Sequence, residues 1–202
     1  MRRRILLSGG VSIDPTAGRE TIGGYEVVDL GLPSGLLFAT WNVGATKETE
    51  YGGYYKYGYG STKYQDEPSD YNHYEGTEEP LASSADTATQ VMGSEWRMPT
   101  REELYELTAN TKYEWVTNFN GSNVNGGLLI SKTNPNAYVF FPATGEGRYG
   151  HINDIGSKGA VWSSSYYNSY AAHRMYINSK EADVAGTNRY YGFSVRGVHA
   201  AI

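Results

Sequence analysis

The sequence predicts an α+β domain of two helices and several short antiparallel strands joined by long loops. Three observations predict it. Thr100 and Glu103 form a T-x-x-E capping box, and Leu104 and Leu107 follow as an apolar stripe at i, i+3. Short apolar runs separated by Gly, Asn and Pro turn signals fill much of the remaining chain. The 202 residues include 25 glycines and are 39% hydrophobic, which suits one core with much turn and loop around it.

The elements follow in order. Residues 1–22 are polar and Gly-rich and read as a flexible N-terminal tail. They begin as a signal peptide does, but the apolar run Ile5-Leu6-Leu7 stops far short of the roughly 7–15 residues of a signal core. Residues 23–202 read as a single domain. Within it, 25–30 and 36–43 are expected strands, joined as a hairpin by the turn signal Pro33-Ser34-Gly35. Residues 51–74 hold eight tyrosines among glycines. Two readings stay open there: rings that pave a loop-rich region in place of a regular core, or rings exposed as a binding surface. Residues 84–92 read as a short helix that starts at Ser84 or Asp86 and ends before Gly93. Residues 100–111 are the second helix. Short strands are expected at 113–116, 127–131, 138–142 and 160–163. Residues 175–178 alternate, with Met175 and Ile177 inward and Arg174, Tyr176 and Asn178 outward. A last strand at 193–198 turns Phe193 and Val195 inward.

The composition narrows the function classes. A net charge of −5 argues against nucleic acid as the main partner, since phosphate binding needs a basic face. The same charge argues against an anionic membrane surface, and no apolar run approaches the roughly 20 residues of a membrane span. Without cysteine there is no disulfide, thiol nucleophile, zinc-thiolate site or lipoprotein anchor. The Gly-rich run of 53–60 lacks the Lys-Ser/Thr of a phosphate loop. His73, His151, His173 and His199 are not at ligand spacing and read as packing or surface residues. A Ser-His-Asp triad can assemble from distant positions, so the sequence leaves it open. Ser163, Ser164 and Ser165, beside Trp162, read instead as hydroxyls that satisfy backbone groups. Asn153 and Asp154 are a thin basis for a calcium loop, given that calcium takes 6–8 oxygen ligands. We therefore assign no catalytic residue, metal or cofactor from the sequence.

Five ordered motifs carry a resemblance. VDLGLPSGLLFATWNVGA (28–45), GSEWRMPTREEL (93–104), FPATGEGRYG (141–150), GAVWSSS (159–165) and YYGFSVRGV (190–198) together resemble the Fibrobacter succinogenes major paralogous domain of gut Bacteroidetes. The resemblance spans about residues 25–200 and implies a C-type-lectin-like fold of the formylglycine-generating-enzyme type. The ending is similar to that of a narrower group, the variable proteins of diversity-generating retroelements. There a C-terminal segment is rewritten at Asn codons, and the diversified side chains are displayed for binding. By that resemblance, Trp162, Ser163–Ser165 and Ser194-Val195-Arg196 are fixed scaffold. Gly197, where many relatives have proline, and Lys180-Glu181, in place of a Gly-containing turn, depart from the pattern.

The resemblance implies a variable region of about 162–196. Residues 166–193 hold six tyrosines with Asn, Asp, Ala and Thr between them. Tyr gives large contact area at low entropy cost, and Asn, Ser and Gly supply adaptable hydrogen bonds. The candidate ligand-binding residues are Tyr167, Asn168, Tyr170, Ala171, Arg174, Tyr176, Asn178, Asp183, Ala185, Thr187, Asn188, Tyr190 and Tyr191. The expected function is non-enzymatic binding of a cell-surface protein or glycan, at a virion surface or an extracellular surface. The alternative is an adhesin or pilus module with one fixed carbohydrate or protein ligand.

Overall fold

The structure, a computed structural model, describes residues 5–6, 12–14, 16–64 and 74–201. The strands are β1 (Ile5–Leu6), β2 (Ser12–Ile13), β3 (Arg19–Ile22), β4 (Tyr25–Asp29), β5 (Leu37–Ala39) and β6 (Tyr55–Lys56), then the helices α1 (Thr87–Met92) and α2 (Arg101–Asn110). There follow β7 (Thr111–Val116), β8 (Gly126–Ser131), β9 (Tyr138–Pro142), β10 (Glu146–Arg148), β11 (His151–Asn153) and β12 (Lys158–Asn168). The chain closes with β13 (Ala171–Asn178), β14 (Ala182–Asn188), β15 (Gly192–Phe193) and β16 (Val198–His199). The architecture is α+β, mostly antiparallel sheet with two α-helices.

Both helices are capped by the residues the sequence points to. Asp86 Oδ1 accepts from Thr89 N–H at 2.9 Å, its other carboxylate oxygen accepts from Met98 N–H, and Gly93 closes α1. Thr100 Oγ1 accepts from Glu103 N–H, and Glu103 returns an acceptor to Thr100 N–H at 2.8 Å. Leu104 and Leu107 are fully buried on the inner side of α2.

The helix packs over the main core. Val28, Phe38, Leu129, Val139 and Phe141 meet Val161, Met175, Ile177 and Val184 beneath Leu104 and Leu107. The sheets ordered β16-β5-β4-β3, β7-β8-β9 and β12-β13-β14 each give one face to it. β9 is buried on both faces, since Tyr138 and Phe140 point the other way, into a second cluster with Phe119, Leu128 and Ile130. A third cluster forms under the tyrosine-rich segment. Tyr55 and Tyr57 are 1% exposed and pack with Trp162, Ala172, Phe193 and Val195. These two rings do serve as core, so the paving reading holds for them. Tyr71 lies outside the described residues.

Three expectations need correction. The ordered domain reaches back into the stretch expected to be a flexible tail. Arg19–Ile22 pairs with Tyr25–Asp29, and Ile13 is fully buried, so the boundary expected after 22 falls inside a hairpin. The strand expected at 36–43 is Leu37–Ala39: Thr40 N–H still donates to Glu26 O, and the residues after it lie outside any strand. The strand expected at 193–198 is two short pieces in different sheets: Phe193 pairs with Tyr55, and Val198 pairs with Phe38. Between the pieces Arg196 turns inward. It is fully buried and donates to Asn42 Oδ1, Ala39 O and Phe140 O at 2.9–3.0 Å. Burial pulls its pKa down to about 9.

Candidate ligand-binding surface

The segment from Trp162 to Arg196 is a closed excursion. Its ends lie side by side, with Val161 bridged to Ser194 and Trp162 N–H donating to Ser194 O at 3.1 Å. Trp162 Nε1 donates to Tyr55 O at 2.8 Å, and its ring lies 4.6 Å from that of Phe193. The serines beside it bond to backbone, as their sequence context suggested. Ser163 Oγ donates to His173 O, Ser164 Oγ donates to Pro99 O, and Ser165 Oγ accepts from Arg101 N–H. Ser163 thus contacts the carbonyl of His173 and not its ring. The His173 Nε2 faces Arg101 Nη1 at 3.3 Å.

Between these ends β12, β13 and β14 form a three-stranded meander. Register decides which side chains share a face. Arg174 stands opposite Ala185, Tyr176 opposite Asp183, and Ala172 opposite Thr187. Arg174, Tyr176, Asn178, Asp183, Ala185 and Thr187 therefore lie on one face of the sheet. Met175, Ile177 and Val184 take the other face and enter the core, as the alternation predicts. The outward face is covered on its β12 side, where Trp162, Ala160 and Ala172 are buried. Its β14 side is open, with Asp183 exposed and Ala185 and Thr187 half-buried.

Other elements extend this face, and the sequence did not single them out. Glu146 and Arg148 of β10 and Tyr149 after it lie beside it. Glu146 acts electrostatically on Arg148, Lys158 and Arg174 alike, and Lys158 Nζ is 3.6 Å from Glu146 and 2.8 Å from Asp154. Tyr149, Tyr190 and Tyr191 meet in sequence, the first pair tilted with centroids 6.5 Å apart and the second edge to face at 4.7 Å, with Arg148 over both Tyr149 and Tyr191. Burial, then hydrogen bonds to Tyr191 and Tyr149, hold the Tyr190 hydroxyl above its ordinary pKa. The hydrogen bond that Arg148 donates to the Tyr191 hydroxyl oxygen holds the guanidinium above its ordinary pKa. Burial lowers Arg174, whose guanidinium lies 4.9 Å over the Tyr176 ring. The face is rich in tyrosine, balanced in charge and assembled from separate stretches of chain.

The remaining candidates are placed differently. Tyr167 is exposed on the opposite face, edge-on to His173 at 5.0 Å and directly over Gly186. A Cβ at Gly186 would come within 2.9 Å of that ring, so glycine is what lets Tyr167 lie flat there. Asn168 and Tyr170 sit at the β12–β13 turn, where Tyr170 is the most exposed large hydrophobic residue among the described residues. Asn168 Oδ1 accepts from the N–H groups of Tyr170 and Ala171, so this amide shapes the turn. Asn178 Oδ1 likewise accepts from Lys180 and Glu181. Ala171 is a correction: it is buried, and its carbonyl is taken by Arg189 Nε. Asn188 is exposed and its amide donates to Tyr190 Oη at 3.2 Å.

Arg189 was missed and holds this end together. It is fully buried and donates to the carbonyls of Ala171, Asn168, Gly76 and Tyr74. Its guanidinium lies 5.2 Å from the Tyr57 ring and 4.9 Å from the Tyr166 ring. Burial lowers its pKa, and the neighbouring tyrosines oppose that. An arginine between Asn188 and Tyr190 in a polar stretch carries no sequence signal for such a role.

Asp154 is engaged by Lys158, and no cluster of three or more His, Cys, Asp or Glu side chains is arranged for a metal among the described residues. No helix among them is long and apolar enough to cross a membrane. Comparison of the chain with protein-family models, with curated proteins and with solved structures finds no match.

Proposed function

We propose that this chain is a non-enzymatic display protein of C-type-lectin-like fold that binds a cell-surface protein or glycan through the β13–β14 face. The observation that carries the reading is the register of the meander. It gathers Arg174, Tyr176, Asp183, Ala185 and Thr187 on one face, open on its β14 side, while Met175, Ile177 and Val184 hold the opposite side in the core. A sheet built this way can change its outward residues without disturbing the inward ones. Tyr149, Tyr190 and Tyr191 add rigid aromatic area at the edge of that face. The resemblance to retroelement variable proteins supplies the idea that this face is diversified.

Binding of the fluorescently labelled chain to intact gut bacterial cells, read by flow cytometry, tests the surface. Ala185→Arg and Thr187→Arg add bulk on the open side without removing core contacts, and they should abolish binding while the melting temperature stays put. Binding that survives both changes would place the ligand elsewhere. Diversification has a genomic test. A nearby reverse transcriptase and a near-copy of the 3′ coding end differing only at adenines are expected, and a locus with neither would refute it.

A further inference from the structure

The outer edge of β14 lies open. β14 is the last strand of its sheet, and among the described residues no strand pairs with its other side. The register fixes which main-chain groups point there. Arg189 N–H donates to Tyr170 O and Asn178 N–H donates to Glu181 O, so the odd-numbered residues of β14 bond to β13. Ala182, Val184, Gly186 and Asn188 therefore turn their N–H and C=O groups outward. Two of these carbonyls are engaged from outside the sheet. Val184 O accepts from Tyr105 Oη at 3.3 Å, and Asn188 O accepts from Tyr191 N–H. Both groups of Ala182 and of Gly186, and the N–H groups of Val184 and Asn188, have no partner among the described residues. Gly186 and Asn188 are exposed. Folded proteins guard such edges with lysine, proline, a bulge or a very short strand. The 7 residues of β14 contain neither lysine nor proline, and their register runs without a break.

We propose that this edge takes an extended peptide segment of another protein as a further strand, with an apolar side chain opposite Gly186. In antiparallel pairing the free N–H and C=O of Gly186 make a complete pair with one peptide residue, and the N–H groups of Val184 and Asn188 add a bond on either side. The peptide side chain at the centre falls between two tyrosines. Tyr167 lies over Gly186, and Tyr105 reaches the edge at Val184, two residues along. These rings are 55% and 47% exposed, and the missing side chain of Gly186 leaves a recess beside them. The Tyr105 hydroxyl stands where a neighbouring strand would supply an N–H, and the incoming strand replaces it. A second copy of the chain offers the same row of groups, but it brings α2 with it. Glu102 is exposed and lies one turn before Tyr105 on the same side of that helix, so two copies would set carboxylates together on a chain of net charge −5. A bare peptide strand carries no such obstacle. The edge works through main-chain groups, which stay the same whichever side chains the β13–β14 face displays.

Selection of a random dodecapeptide phage library on the immobilised full chain, followed by fluorescence polarisation with the selected peptides in synthetic form, tests this. Peptides that bind at about 100 μM or tighter are expected. N-methylation walked along their backbone should abolish binding at every second nitrogen and spare those between, since only alternate residues of a strand face one edge. Gly186→Pro and Gly186→Ala each add a Cβ that presses on Tyr167, but only proline removes the N–H. That N–H points away from β13, so an edge strand tolerates proline there. Gly186→Pro should bind the peptides about tenfold more weakly than Gly186→Ala. Should Gly186→Pro fail to fold, the N-methyl walk decides alone. The proposal is overturned if no peptide is selected, if N-methylation shows no period of two, or if a folded Gly186→Pro binds as Gly186→Ala does. It is overturned equally if sedimentation shows a dimer that Gly186→Pro dissociates, because the occupant is then a second copy. Binding to cells, which tests the display face, takes no part in this assay, so the edge and the face can fail separately.

Discussion

Arg189→Met distinguishes scaffold from displayed surface within the tyrosine-rich segment. Methionine keeps an unbranched apolar stem between Tyr57 and Tyr166, so the change removes the hydrogen bonds more than the packing. Four carbonyls lose a donor: Ala171, Asn168, Tyr74 and Gly76. Asn168 is exposed and Gly76 half-buried, so water reaches part of this set. If two acceptors stay dry at about 1–3 kcal/mol each, the loss is roughly 2–6 kcal/mol. For a chain of this length that lowers Tm by at least about 4 °C. Urea unfolding followed by tryptophan fluorescence reads the stability, and hydrogen exchange reads the amides of Tyr170 and Ala171 at the turn. Both should move, with faster exchange at the turn. A variant within about 0.5 kcal/mol of the parent and with unchanged exchange would refute the reasoning, and Arg189 would then belong to the replaceable surface.

Other outcomes follow from the same geometry. Tyr170→Ala should change unfolding free energy by less than about 0.5 kcal/mol, since the side chain is 68% exposed. Thr100→Ala removes the acceptor for Glu103 N–H and should cost about 1 kcal/mol in urea unfolding, with the loss centred on α2 by hydrogen exchange. His173 titrates below its ordinary 6.5, first through burial and then through Arg101, so the folded state binds its proton less readily than the unfolded state. Its contribution to stability is therefore complete above pH 6.5 and is lost as pH falls through the folded pKa. His173→Gln should flatten the stability profile below pH 6.5, and an unchanged profile would assign the dependence to other groups. Leu107→Ala, at a fully buried position, should cost about 2–5 kcal/mol by the same unfolding assay.

The sequence by itself determined the elements whose signals are local. The capping box at Thr100 and Glu103, the Asp86 cap and the strand at 138–142 depend on neighbours a few residues away, and they stand where the pattern places them. The inward–outward alternation at Met175 and Ile177 is local too, because a strand has a period of two. Tertiary structure decided the rest. Pairing across strands set Asp183 beside Tyr176 and Ala185 beside Arg174, and no spacing within the chain encodes that register. Ala171, small and beside the exposed Asn168 and Tyr170, is buried, and its carbonyl accepts from Arg189 Nε. Arg148 and Tyr149 reached Tyr190 and Tyr191 through the pairing of β10 with β15, strands more than 40 residues apart in the chain. Contacts between residues far apart in the chain depend on how its layers stack, and that information is spread over the whole core.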